Sequence, residues 1–241
     1  EFQDTMEALT NPATGPNPPI IGTGQYPIGK IHGEFSDTDV EAEPWYGKQE
    51  TLEGADTEII VRKRWLQKNK AGEEAVTAAL EELPNLALDS SGTVAGADTD
   101  PIEAYPFREY DLGLLRMVIQ QLMPRGRVTE DEYVQGRALL ILVRSLFTRF
   151  EWGEQSVGAL VTWDELFDLL VEETTYVPLW VREMIENRLV DAAVDGDENA
   201  TIVQVAKALF LLNQVDEVVP STTANLARLL VGSVDDPISA V

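Results

Sequence analysis

The chain has 241 residues, 44% of them apolar, enough to build a sizeable core in one large domain or two modest ones. Its 42 Asp and Glu against 18 Lys and Arg give a formal charge of −24, spread along the chain with no discrete acidic tail. Cysteine is absent and His32 is the single histidine, which excludes disulfides, thiolate metal sites, cysteine nucleophiles and the usual histidine dyads.

Lysine is confined to Lys30, Lys48, Lys63, Lys68, Lys70 and Lys207. An evenly acidic, lysine-poor surface suits a protein kept soluble in concentrated salt, where charge is screened over short distances, so the composition points to a salt-loving microbe. An ordinary acidic protein is the alternative. No run approaches the ~20 apolar residues of a membrane span. The N-terminus, EFQDTMEALT, lacks the basic and apolar regions of a signal peptide. The expectation is a soluble, cytoplasmic protein with no membrane partner. The chain starts on Glu1 and stops at Val241 just after Asp235, Asp236 and Pro237 open what reads as a third C-terminal helix, the pattern of a piece of a longer protein.

Residues 1 to about 48 hold Pro12, Pro16, Pro18, Pro19, Pro27 and Pro44, which predicts an extended segment or the edge of a missing core. Short strands are expected at Pro19 to Thr23 or Gly29 to Phe35. Gly24 to Ile31 nearly matches a phosphate-binding loop, but Ile31 stands where a hydroxyl must reach magnesium, and no amphipathic helix follows.

From Thr51 the pattern is helical, with Ile59, Ile60, Val61, Trp65 and Leu66 on an apolar face and Arg62, Lys63, Arg64, Lys68 and Lys70 on a basic one. The basic face is either a phosphate contact or a solvated surface paired with neighbouring glutamates. A second helix, Glu73 to Leu83, ends at Pro84, and Ser90 to Asp100 reads as a loop, which completes a helical hairpin and loop over 49–100.

A helical bundle is expected over 101–199. Leu112 to Leu122 forms one helix, and Thr129 with Glu132 offers a capping box to the next, Tyr133 to Phe150. Leu139 to Val143 with Leu146 and Phe147 leave that helix almost no polar face, which places it at the centre of the bundle. Arg137 and Arg144 lie seven positions apart, roughly on one buried side, where an arginine either pairs with a carboxylate or contacts phosphate. Thr162 to Glu165 caps a helix through Val171, and Pro178 to Ala193 forms another with Trp180, Ile185 and Leu189 inward. Asp195 to Asn199 lacks the register of a calcium loop and reads as a turn.

Over 200–241 the helical spacing of Ile202, Val205, Ala206, Leu209 and Leu212 predicts a buried stripe. Pro220 stops that helix, and Ser221 or Thr222 caps a second one running to Gly232 with Leu226, Leu229 and Leu230 inward. This is the outline of a helix-turn-helix or winged-helix unit. The fold class is therefore mainly α, a helical bundle followed by a truncated winged-helix unit.

The segments VRKRWLQK at 61–68, AYPFREYDLGLL at 104–115, QGRALLILVRSLF at 135–147 and KALFLLNQVDEVVPSTTANLARLLVGSVDD at 207–236 resemble a known group. They are similar to the region after the nucleotide-binding core in the large P-loop, AAA+-like ATPases of bacteriophage-exclusion (BREX) systems. The resemblance implies a lid-like bundle and a winged-helix region of a phage-defence ATPase, with ATP and Mg bound mainly by a core outside this chain. It also implies other defence-system proteins as partners, homo-oligomers and a contact with DNA. Arg137 resembles a sensor arginine approaching the γ-phosphate, and Arg62 and Arg64 resemble subunit-bridging fingers, which would stabilise charge on the transferred phosphoryl group. Neither a Walker A nor a Walker B sequence is present, so the chain is not expected to hydrolyse ATP alone. The alternative is a non-catalytic helical adaptor whose winged-helix region binds protein or DNA.

Overall fold

Helices α1 (Gly54–Arg64) and α2 (Lys70–Leu80) open the part of the chain that the computed structural model describes, residues 54–81, 85–94, 96–123, 131–149, 152–189 and 201–236. All of them belong to the unit Glu53–Val241. The expected N-terminal strands, the near-match at Gly24 to Ile31, the Thr129 cap, the turn at Asp195 to Asn199 and the third C-terminal helix lie outside the described residues.

The two helices expected here form, but the first ends at Arg64, short of Lys68 and Lys70, and the second begins at Lys70 instead of Glu73. Trp65 and Leu66 both donate their backbone N–H to Val61 O, at 2.8 and 3.2 Å, which closes α1. Asn69 then caps α2, its side chain accepting from the Gly72 N–H at 2.8 Å. The loop that follows agrees with the sequence, and α3 (Pro101–Ala104) is a single turn capped by Asp100.

The centre is built from α4 (Asp111–Leu122), α5 (Asp131–Thr148), α6 (Trp163–Glu173) and α8 (Thr201–Leu212). Leu114 and Ile119, Leu139 and Leu142, Leu166 and Leu170, and Leu211 and Leu212 fill one continuous core that also takes in Val61 and Leu66 at one end of the unit and Leu226 and Leu229 at the other. Segments that the sequence separates at 49–100, 101–199 and 200–241 therefore share buried surface. Phe167 meets Phe210 edge to face at 5.7 Å and 88°, fastening α6 to α8. Lys207 reaches Asp168 across the same contact at 2.7 Å.

That contact sets the register of α8. Its buried residues are Val203, Ala208, Leu211 and Leu212, whereas Ile202, expected inward, is 55% exposed. The sequence permitted either stripe, because nearly every position of TIVQVAKALFLL is apolar. Trp180 also departs from expectation. Helix α7 (Leu179–Met184) buries Val181 and, one turn on, Ile185, where it continues as a π turn, Ile185–Leu189; that choice of face leaves Trp180 65% exposed. Helix α6 starts at its predicted cap, which takes the form of a capping box with Glu165 accepting from both the N–H and the hydroxyl of Thr162 at 2.9 and 3.1 Å.

Helix α9 (Thr223–Leu229) packs on α8, its N-terminus capped by Thr222 as the sequence predicts. Fully buried Asn225 ties α9 to the distant loop. Its amide accepts from Asp89 N–H at 2.9 Å and donates to Asp89 O and Pro220 O at 2.8 and 2.9 Å. Among the described residues the fold is mainly helical, with nine α-helices and one isolated antiparallel bridge, Ala159 to Ser233. No described helix is long and apolar enough to cross a membrane.

One buried ionic cluster joins three parts of the chain. Arg108 follows the cis Tyr105–Pro106 bond. It bonds Asp111 Oδ2 through its backbone N–H at 2.8 Å and its guanidinium at 3.2 Å. The same guanidinium donates to Val161 O at 2.8 Å and Val231 O at 2.6 Å. The other Asp111 oxygen accepts from Trp163 Nε1 at 2.8 Å. Breaking such a pair strands a buried charge. Asp111→Ala is expected to cost about 3–5 kcal/mol in urea unfolding, whereas Trp163→Phe, which leaves the ion pair intact but strands Asp111 Oδ1 and opens a small cavity, should cost about 2–3 kcal/mol.

Candidate functional site

Helix α5 carries the arginine that the sequence singles out. Ala138, Leu139, Leu142, Val143 and Leu146 are buried, and the helix contacts α1, α4 and α6. Arg137, Ile141, Arg144 and Thr148 are spaced by one helical turn and face solvent, with Ile141 39% exposed. This corrects two expectations, since the helix does have an outward face and Arg137 and Arg144 lie on it instead of on a buried side. The described neighbouring helices cover only part of its circumference, and the two arginines lie on its exposed side.

The position of Arg137 is set by the residue before it. Gly136 is buried where α5 crosses α1, and a Cβ there would stand 2.5 Å from Thr57 Oγ1. Glycine leaves room there for the Thr57 side chain, so Arg137 extends from a close crossing of the two helices.

The other two named arginines differ from it and from each other. Arg62 Nη1 donates to Thr99 Oγ1 at 3.4 Å and lies 3.9 Å from Glu58 Oε2, while Arg116 Nε takes the other Glu58 oxygen at 2.9 Å. Glu58 is thus a nearly buried carboxylate shared by two arginines, and Arg62 is a strut between α1 and the loop before α3. A guanidinium so held does not fit a phosphate contact. Arg64 is exposed at the C-terminal end of α1, beside Lys63, where positive charge also complements the helix dipole. Arg64 and Arg137 are both exposed, and among the described residues neither has a side-chain hydrogen bond or ion pair. No group of three or more carboxylate or histidine side chains among the described residues could hold a metal ion.

A second feature was not singled out in the sequence. A cleft of about 200 Å³ lies between the segment after α1 and the loop after α5, lined by Trp65, Lys68, Tyr105, Pro106, Phe147 and Trp152 among others. Lys68 Nζ donates to Leu66 O and Tyr105 O, each at 2.7 Å, and lies 5.7 Å from the centre of the Tyr105 ring. The Tyr105 hydroxyl accepts from the Gly158 N–H at 2.9 Å. Burial pushes the Lys68 ammonium down to about 8, against the opposing pull of Glu103, Glu73 and Asp100. Burial also pushes the Tyr105 phenol up, more than its bond from Gly158 lowers it. Asn69 was the available signal. A cap residue there ends the basic helix before Lys68 and frees that lysine to turn inward.

Compared with known protein families, with curated proteins and with solved structures, the chain matches none.

Two measurements check this geometry. Gly136→Ala is expected to destabilise the unit by about 1–3 kcal/mol. Much of that loss should disappear on a Thr57→Ala background, because the remaining Thr57 atom near the new methyl lies 3.5 Å away. For Lys68, the folded value lies below the ordinary 10.5, so between about 8 and 10 the unfolded chain holds more protons and stability rises with pH. Wild type should therefore gain stability relative to Lys68→Met across that window in urea titrations.

Proposed function

We propose that this chain is the lid and winged-helix portion of a phage-defence P-loop ATPase, sensing the state of nucleotide bound by a core outside it. The observation that carries this reading is Arg137, an exposed guanidinium next to the close α1–α5 crossing, with Arg144 two turns along the same face. An exposed guanidinium suits a sensor of phosphate, because it makes directional, charge-assisted bonds to phosphate oxygens. Arg64 is the second candidate, placed at an exposed helix end where a neighbouring subunit can meet it. Arg62 is withdrawn from the phosphate role by its ties to Glu58 and Thr99. When bound, ATP with Mg supplies the phosphoryl group, and this chain's part is to read its γ-phosphate end. A cytoplasmic homo-oligomer working with other defence proteins belongs to the same reading.

The α8–α9 pair supports a winged-helix region that contacts protein more readily than DNA. Arg228, the one basic residue of α9, is bonded to Asp89 Oδ2 at 3.0 Å and to Asn225 Oδ1 at 3.2 Å. With a net charge of −24, the chain lacks the phosphate neutralisation on which unaided DNA binding rests. The adaptor reading draws on another observation, the exposed apolar residues Leu179, Trp180 and Met184 on α7 and Ile202 on α8, which suit a protein partner.

ATP hydrolysis in molar salt by a chain extended upstream through a nucleotide-binding core separates the two. Arg137→Ala is expected to lower the rate about a hundredfold with nucleotide affinity less affected. Hydrolysis indifferent to Arg137 in a folded protein would replace the ATPase reading with the adaptor.

A further inference from the structure

The cleft beside α1 plays no part in the phosphate-sensing reading, yet its lysine is set unlike any other described. Lys63 and Lys70 are exposed, the latter's side chain by 90%, and Lys207 is paired with Asp168. Lys68 alone among them is fixed by two backbone carbonyls, those of Leu66 and Tyr105, at 2.7 Å each. A neutral primary amine has two N–H bonds and one lone pair in tetrahedral array. With both hydrogens held by the carbonyls, the lone pair takes the remaining direction, and the nitrogen belongs to a residue that lines the cleft. We propose that Lys68 is a nucleophilic amine and that the cleft is a covalent site for small planar carbonyl compounds, aromatic aldehydes above all.

The walls fit that class. Trp65, Tyr105, Phe147 and Trp152 line a half-open cleft of about 200 Å³, room for a single ring and its carbonyl. The charged and titratable groups around the amine are Glu73 on α2, Asp100 and Glu103 at α3, and Tyr105. The carboxylates favour the ammonium, and burial outweighs them, so a substantial share of the amine is neutral near pH 8.

The reaction balances with no further reagent. The nitrogen lone pair attacks the carbonyl carbon as the C=O π pair moves to oxygen, and oxygen takes one proton from nitrogen to give a carbinolamine. Nitrogen's electron pair then expels that oxygen, which leaves with the second nitrogen proton as water, and an imine remains. In its protonated form the imine keeps one N–H for one of the two carbonyls.

The test treats the folded chain with benzaldehyde and cyanoborohydride at pH 8 and locates the reduced adduct by peptide mass mapping. Lys68 is expected to react about tenfold faster than Lys63 or Lys70, with a rate that levels off above pH 8 while theirs still climbs. Lys68→Arg should remove the fast phase and leave the helical circular dichroism unchanged. Trp65→Ala, at the exposed rim of the cleft, should erase the advantage of benzaldehyde over acetaldehyde at Lys68. Equal labelling of Lys68 and Lys70 would overturn the nucleophile, and an undiminished benzaldehyde preference in Trp65→Ala would overturn the planar site.

Discussion

The Arg108–Asp111–Trp163 cluster is the constraint on which the described fold depends. A guanidinium and a carboxylate are both almost wholly removed from water, which is tolerable only if nearly every polar atom is bonded. Their partners come from the first turn of α4, from the backbone leading into α6 and from the chain after α9. The cluster therefore specifies which segments meet, while the leucine-rich faces of α4, α5, α6 and α8 supply the larger hydrophobic drive. Arg108 Nε alone in that guanidinium has no partner.

Around this centre the remaining polar groups are used as ties between distant segments. Asn225 joins α9 to the loop at Asp89, Glu58 joins α1 to α4 through Arg116, and Lys207 joins α8 to α6. In a chain with so few cations, most of those in view are taken up by such ties. The exposed arginines of α5 stand out for that reason, as groups that internal packing does not explain. Lys68 is a different case, because its hydrogen-bond partners are neutral carbonyls, which favour the ammonium less than a carboxylate at the same distance would, and burial works against the charge.

Much of the fold was legible in the sequence. The α6 cap, the Thr222 cap and the helical course of 112–122 and 133–148 follow from local rules, since each depends on residues within a turn or two of one another. The candidate site was legible in part. Arg137 could be named from the sequence, but its outward direction could not, because the apolar run around it hid which arc of α5 its neighbours leave uncovered. Arg62 illustrates the opposite failure. Its pairing with Glu58 one turn away was among the alternatives the sequence offered, but Thr99, which holds Arg62, and Arg116, which shares Glu58, come from distant parts of the chain. The Lys68 cleft was invisible because Tyr105 and Trp152 are far from it in sequence.

By itself the sequence determined the acidic character, the absence of thiol chemistry, the predominance of helix and the places where helices start, all properties of composition or of neighbours along the chain. Tertiary structure alone decided the register of α8, the exposure of Trp180 and Ile202, the tie of Arg62 to Thr99 and the partial burial of Lys68. Each of these is a choice among faces or partners that local energetics leave nearly equal, and burial against another helix breaks the tie.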